Sequence, residues 1–374
     1  MKVKSAVLHK MGATTPYTES KPLIIQELEL DNPGRGEVLI EIKAAGLCHS
    51  DLSVINGSRP RPVPMALGHE AVGVIVELGE DVTDLNVGDH VVCIFVATCG
   101  HCSSCQEGRP ALCENGAKAN NDGTLLGGEK RLHDGEQYIH HHLGVSAFSN
   151  FVVTSRNSLV KIDPSIPFEK AALFGCAVMT GVGAVVNTAH LKMGSSVAIV
   201  GLGGIGLSAL LGSIAAGARE IIAVDINPDK LSFAQQLGAT HIFNSTKEDV
   251  IDQIKHATNG GVEFAFETAG AVPAMKVAYN ITRRGGTTIT TGLPHHEHEF
   301  SFPQASLTAE ERILKGSYLG SCVPSRDIPR FIEMYKQGRL PVDRLLSDVI
   351  PLEEINEGFD RLANGSVNRI VVKP

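Results

Sequence analysis

The chain has 374 residues, 43% of them hydrophobic and 20% charged, a composition of a globular protein with room for two or three domains. Its formal net charge is −8 and no Lys/Arg cluster occurs, which excludes nucleic acid and anionic membrane as expected partners. The start, MKVKSAVLHKMG, carries no apolar stretch of the secretory type, so a cytoplasmic enzyme with reduced cysteines is expected.

Residues 4–92 read as β-structure. Apolar alternation places strands at 5–9, 23–30, 37–45, 72–79 and 90–96, with turns at Asn32-Pro33-Gly34-Arg35-Gly36 and Val87-Gly88-Asp89. Two short pieces interrupt them: Gly46-Leu47-Cys48-His49-Ser50-Asp51 and Leu67-Gly68-His69-Glu70-Ala71-Val72-Gly73. A thiolate and a neutral imidazole are good zinc ligands, although either residue alone reads more readily as an ordinary buried side chain.

Four of the eight cysteines then crowd together as Cys99, Cys102, Cys105 and Cys113. The spacing C-x2-C-x2-C-x7-C in a chain without a secretion signal points to metal rather than disulfides. Four sulfurs complete a tetrahedron, so this is a closed, structural zinc site, and His101 is not needed as a ligand. Cys93 and Cys322 are left over as buried small hydrophobes. Residues 115–143 are polar and glycine-rich and read as a long functional or interface loop. His140, His141 and His142 inside it read as surface or pocket-lining residues. Strands are expected at 146–153 and 159–162, followed by an alanine-rich helix over 167–179 that contains Cys176.

The stretch 197–225 carries the strongest single motif, VAIVGLGGIGLSALLGSIAAGAREIIAVD. A strand over 197–200 leads into Gly201-Leu202-Gly203-Gly204-Ile205-Gly206, then a helix over 207–216, then a strand ending on Asp225. Gly201 serves the tight turn, Gly203 lets a pyrophosphate approach the backbone, and Gly206 lets helix and strand pack closely. The helix N-terminus, including Gly204, attracts phosphate. Asp225, nineteen residues after Gly206, accepts hydrogen bonds from ribose hydroxyls and repels a 2′-phosphate, which favours NAD over NADP. The charge-free run 193–218 is long enough for a membrane helix, but its seven glycines and four serines argue against one. Strand–helix alternation continues, with strands at 241–243, 262–267, 287–292 and 313–319 and helices at 228–237, 247–257 and 271–281. Six strands complete a doubly wound parallel sheet. His295-His296-Glu297-His298 reads as a solvated loop. Amphipathic helices at 327–337 and 352–364 and a strand at 370–372 close the chain.

The ordered series GLCHSD, GHEAVG, the four-cysteine lobe, LFGC, GLGGIG and the acid after the second strand resembles the zinc-dependent alcohol dehydrogenases of the medium-chain dehydrogenase/reductase superfamily. The resemblance covers essentially the whole chain. It implies a GroES-like, β-rich catalytic domain over 1–177, to which 320–374 return, and a Rossmann NAD-binding domain over 178–319. It implies two Zn2+ per chain, one catalytic and one structural. Cys48, His69 and Cys176 then hold the catalytic zinc, with substrate or water in the open position, and Ser50 relays the alcohol proton. Asp51 orients His69, while Glu70 reads as a transient metal ligand or as a plain structural carboxylate. By the same match His49 and Arg369 contact the cofactor pyrophosphate, Lys230 the ribose and Thr180 the nicotinamide. Phe95, His142, Leu143, Leu293 and Tyr318 line the substrate pocket, with Arg59 near its mouth.

Two positions depart from the family pattern. Ser53 stands where liver-type members end the proton relay in histidine, and Ala117 stands where glutathione-linked members have arginine. The function implied is reversible hydride transfer between a primary alcohol, aliphatic or aromatic, and NAD. An S-(hydroxymethyl)glutathione or polyol dehydrogenase is the enzymatic alternative, and a non-catalytic NAD-binding relative is the alternative of another class. A homodimer or homotetramer is expected, with 287–292 and 318–319 at the subunit edge.

Overall fold

Residues 37–46, EVLIEIKAAG, are apolar almost without alternation, because this strand is covered on both sides. In the computed structural model, which describes residues 1–374, strand Glu37–Gly46 pairs antiparallel with Glu70–Leu78 and with Phe151–Ser155. It is the centre of a seven-stranded sheet in which six strands run in the order Leu159–Lys161, His90–Cys93, Glu70–Leu78, Glu37–Gly46, Arg369–Lys373 and Leu346–Pro351, with Phe151–Ser155 branching off Glu37–Gly46 as the seventh. A closed barrel stands beside it, formed by Lys2–Leu8, Leu23–Leu30, Leu132–Asp134, Gln137–His141 and Met65–Ala66. Phe148, Ile40, Leu47 and Phe359 are among the side chains sealed in the core that sheet and barrel share. These elements belong to one unit, Met1–Cys176 with Val323–Ile332 and Asp343–Pro374.

The second unit comprises Ala177–Cys322 and Glu333–Val342. Its six parallel strands lie in the order His241–Asn244, Glu220–Asp225, Ser196–Val200, Val262–Glu267, Thr282–Thr290, Ile313–Gly316. That is the doubly wound Rossmann arrangement, and the strand order reverses beside Ser196–Val200, where such sheets take their ligands. The charge-free run 193–218 is divided between Ser196–Val200 and helix Gly204–Ala215, and no single helix is long and apolar enough to cross a membrane.

Three expectations are corrected. Residues 115–143 are not one loop. Cys113 accepts the Gly116 N–H and starts helix Glu114–Asp122, left-handed Gly123 ends it, and the hairpin Leu132–Asp134/Gln137–His141 completes the barrel. The strand expected over 146–153 starts only at Phe151, because Leu143, Gly144 and Ser146 all take left-handed backbone angles that a ladder does not admit. The helix expected over 167–179 breaks. Phe168–Ala171 tightens into a 3-10 turn, Cys176 leaves helical geometry at φ −142°, ψ −75°, and Ala177–Gly183 resumes.

Candidate active site

Cys48 caps the helix His49–Ile55, its Sγ accepting the Ser50 N–H at 3.5 Å. That position at a helix N-terminus favours thiolate. His69 follows Gly68, whose φ of +97° carries the chain into strand Glu70–Leu78; a Cβ at Gly68 would meet Phe148 N at 2.5 Å. Cys176 is presented by the break in the helix noted above. The donor atoms of Cys48, His69, Glu70 and Cys176 lie within 4.8 Å of one another, and all four residues are buried.

The electrostatics sort these donors. The neighbouring Cys176 thiol, with His69 and Arg369, outweighs burial and holds Cys48 well below the usual thiol range. Cys48 and burial push Cys176 well above it. The His69 Nδ1 faces Asp51 Oδ1 at 3.1 Å, which leaves Nε2 buried without a hydrogen-bond partner. Burial alone would lower the His69 pKa, but the Asp51 carboxylate and the Cys48 thiolate together raise it well above the ordinary value. Burial lifts Glu70 to about 7 against the Arg369 guanidinium with which it is ion-paired. Two thiols and an orphaned imidazole nitrogen converging out of water are a donor set that suits zinc with one position open.

The four-cysteine lobe fits a metal differently. All eight cysteines are free, and Cys102 Sγ and Cys113 Sγ stand 4.0 Å apart. That is too long for a disulfide and close to the edge, about 3.8 Å, of a tetrahedron built on 2.3 Å Zn–S bonds. Backbone N–H groups feed the sulfurs: Cys102 donates to Cys99 Sγ at 3.3 Å, and Cys99 and Gly116 donate to Cys113 Sγ at 3.2 and 3.4 Å. All four sulfurs also lie within 4.8 Å of one another. The His101 ring turns away from the cluster, its Nδ1 on Cys99 O and its Nε2 on Asn115.

In the second unit the glycine turn has the shape a dinucleotide requires. Gly201 has φ +97°, and a Cβ at Gly206 would strike Gly201 O at 1.9 Å, so only glycine lets the helix approach the strand. A Cβ at Gly203 would meet nothing, so the space above it is open. Asp225 accepts the Leu202 N–H at 2.6 Å and the Asn227 N–H at 2.9 Å, which fixes its carboxylate at the strand end.

Of the other residues anticipated from sequence, Phe95 is buried edge-on to His69 with ring centroids 5.3 Å apart. Leu143 and Thr180 are buried, Ser50, Arg59 and Lys230 half-buried, and His49 exposed. Leu293 and Tyr318 are 52% and 40% exposed. Arg369 is buried against Glu70. The Ser53 hydroxyl donates to His49 O at 2.8 Å. His140 is half-buried, but His141 and His142 are sealed from solvent, so the three adjacent histidines are not a surface patch. His141 Nε2 accepts the Arg131 N–H at 3.0 Å, and burial pushes its pKa down to about 3.

Sequence reading missed Glu267 and Thr268. Buried Glu267 accepts the Ala269 and Gly270 N–H groups at 2.8 and 2.6 Å, and Thr268 donates to Gly201 O at 2.5 Å, bracing the glycine turn from the neighbouring strand. An acid closing an apolar strand just before Thr-Ala-Gly was the available signal.

The patterns of two known families match the chain: "Alcohol dehydrogenase GroES-like domain" over residues 34–164 and "Zinc-binding dehydrogenase" over 204–337. Among solved structures, the alcohol dehydrogenase zinc-binding domain protein of Burkholderia ambifaria is 34% identical, with a TM-score of 0.93, covering 100% of this chain and 99% of its own. Benzyl alcohol dehydrogenase of Acinetobacter calcoaceticus is 33% identical over the same shares, also with a TM-score of 0.93. A zinc-binding dehydrogenase of Sinorhizobium meliloti, bound to NADP, is 25% identical over 100% of both chains, with a TM-score of 0.82.

Proposed function

This chain belongs to the zinc-binding alcohol dehydrogenases of the medium-chain dehydrogenase/reductase superfamily, and from that premise we propose that it transfers hydride reversibly between a primary alcohol and NAD. The observation that carries the reading is the buried set of Cys48, His69 and Cys176, with His69 Nε2 left without a partner. These three residues hold the catalytic zinc. Zinc there supplies Lewis acidity, which lowers the pKa of an alcohol hydroxyl and polarises an aldehyde carbonyl. Asp51 accepts a hydrogen bond from the Nδ1–H of His69 and so fixes the tautomer that offers Nε2. Ser50, in the first turn of the helix that Cys48 caps, takes the alcohol proton and passes it outward. Ser53 is occupied by its own helix backbone, so the proton leaves through water. Glu70, neutral or ionised near pH 7 and held by Arg369, is a transient ligand within reach of the same donors. Cys99, Cys102, Cys105 and Cys113 hold a second, structural zinc.

The glycine turn and the N-terminus of helix Gly204–Ala215 take the pyrophosphate, and Asp225 takes the ribose. Lys230, Thr180 and His49 complete the cofactor contacts. A neighbour bound to NADP makes the cofactor choice worth testing directly. Asp225→Gly should weaken NAD at least tenfold, roughly the worth of a charged hydrogen bond, and raise the NADP/NAD ratio of kcat/KM. A parent enzyme that already uses both equally well would contradict the ribose argument.

The buried ring of Phe95 beside His69 and the identity to a benzyl alcohol dehydrogenase favour an aromatic or aliphatic primary alcohol as substrate. Exposed Ile313 and Leu314 on the outermost strand of the parallel sheet suit a homodimer or homotetramer. The test is a substrate panel read as NADH absorbance on protein of known zinc content, from ethanol through longer alkanols to benzyl alcohol and S-(hydroxymethyl)glutathione. Turnover of free alcohols that a chelator abolishes is expected. Turnover of the glutathione adduct alone would overturn the substrate class.

A further inference from the structure

His142 has a place that neither its sequence context nor a pocket-wall role explains. Its ring is buried, and its Nδ1 lies 3.0 Å from Asp51 Oδ1 but off the axis of a hydrogen bond, with no other partner. Asp51 Oδ1 is already shared: it accepts the Gly68 N–H at 3.1 Å and faces His69 Nδ1 at 3.1 Å. Asp51 Oδ2, equally buried, has no partner at all. A buried donor without an acceptor thus sits against a buried carboxylate with a free oxygen, an arrangement that proteins rarely leave unmade. The rings of His69 and His142 stand perpendicular, at 90°, with centroids 5.5 Å apart, so the two imidazoles approach one carboxylate from different directions.

We propose that His142 is a positioning residue for the metal set: its Nδ1–H donates to the Asp51 carboxylate that it abuts, so that one carboxylate holds two imidazoles and fixes the plane of His69. The inference rests on the reading of Cys48, His69 and Cys176 as a zinc site. Held only along its Oδ1 edge, a carboxylate pivots about Cβ–Cγ and carries the His69 ring with it. A second imidazole donor on the carboxylate, coming from a different direction, stops the pivot. It also divides the negative charge of Asp51 between two donors, so less of it is passed through His69 to the metal. His142 therefore acts through Asp51 and does not itself ligate, although Asp51, His69 and His142 bring three donor atoms within 4.8 Å.

The experiment follows zinc per chain by mass spectrometry while the holoenzyme is challenged with a chelator, in the parent and in His142→Leu, His142→Asn and His69→Ala. Cobalt(II)-substituted protein gives a second, spectroscopic readout. An asparagine amide N–H occupies the place of the histidine Nδ1–H, whereas leucine fills the volume without a donor. His142→Leu should release one of two zinc ions 10- to 100-fold more readily, the range found when a metal ligand loses its outer partner, and should shift the cobalt ligand-to-metal bands. His142→Asn should stay close to the parent in both. Equal behaviour of the two His142 variants, whether like the parent or both impaired, would overturn the proposal, because packing alone would account for it. A third metal in the parent that is lost in both variants would also overturn it, by making His142 a ligand. His69→Ala with undiminished zinc would instead overturn the zinc reading beneath it.

Discussion

The two cysteine-bearing clusters pose the same coordination problem to the chain and meet it differently. Cys99 to Cys113 lie within fifteen consecutive residues, whereas Cys48 and Cys176 are 128 residues apart. In the lobe, three of the four cysteines are only half-buried and the sulfurs are served by backbone N–H groups of their own loop. In the interior set every donor is sealed from water, and the balancing groups are side chains: Asp51 and Glu70, close in sequence to Cys48 and His69, and Arg369 from near the end of the chain. The lobe has four like donors, which leave no open position on a tetrahedral metal. The interior set has three donors, a buried carboxylate in reserve and an aromatic wall at Phe95. The difference teaches that one cluster is a staple made by local sequence, and the other a reaction centre that exists only once the fold has assembled it.

The contrast breaks most visibly if one ligand is removed from each. Cys176→Ser should cost activity at least about a thousandfold, since several kcal/mol of Lewis-acid stabilisation goes with the metal and each 1.4 kcal/mol is a factor of ten. Its zinc content should fall by one while its melting temperature changes little, as read by metal analysis and scanning calorimetry. Cys102→Ser should do the reverse, losing about 3 kcal/mol of stability, or roughly 6–12 °C in Tm, with kcat retained in whatever remains folded. Equal losses of activity and stability in both variants would erase the distinction.

A third, smaller effect separates both clusters from ordinary burial. His141 is buried next to His140, Arg131 and Lys130, and its pKa is depressed to about 3. A histidine kept neutral in the fold protonates only on unfolding, so its contribution is present above about pH 6.5 and declines as pH falls toward 3. At pH 5 that amounts to about 2 kcal/mol. Denaturant melts at pH 7 and pH 5 should show this loss in the parent and not in His141→Gln, with lobe zinc unchanged. A pH dependence identical in the two proteins would refute it.

The fold was legible wherever a local pattern repeats. The strands 23–30 and 262–267 and the helix 228–237 were readable to the residue because alternation or amphipathicity and clear end signals coincide there. The region 115–143 was misread because its helix is capped by a cysteine and ended by a left-handed glycine, and its hairpin strands are too short to show alternation. The helix break at Cys176 was invisible because LFGCAVMT has the composition of an unbroken helix; tertiary packing, not propensity, bends it. At the site, the lobe was readable from spacing alone. Cys48, His69 and Cys176 were individually ambiguous and came only through family resemblance. The second imidazole on Asp51 had no sequence signal, since 91 residues separate Asp51 from His142.

The measurement that bears most directly on the account is anomalous diffraction at the zinc edge from crystals of the purified protein. Two peaks per chain are expected, one enclosed by Cys99, Cys102, Cys105 and Cys113 and one by Cys48, His69 and Cys176, the latter absent in Cys176→Ser. A single peak in the lobe, from protein that still oxidises alcohols, would contradict the claim that the interior set is the reaction centre.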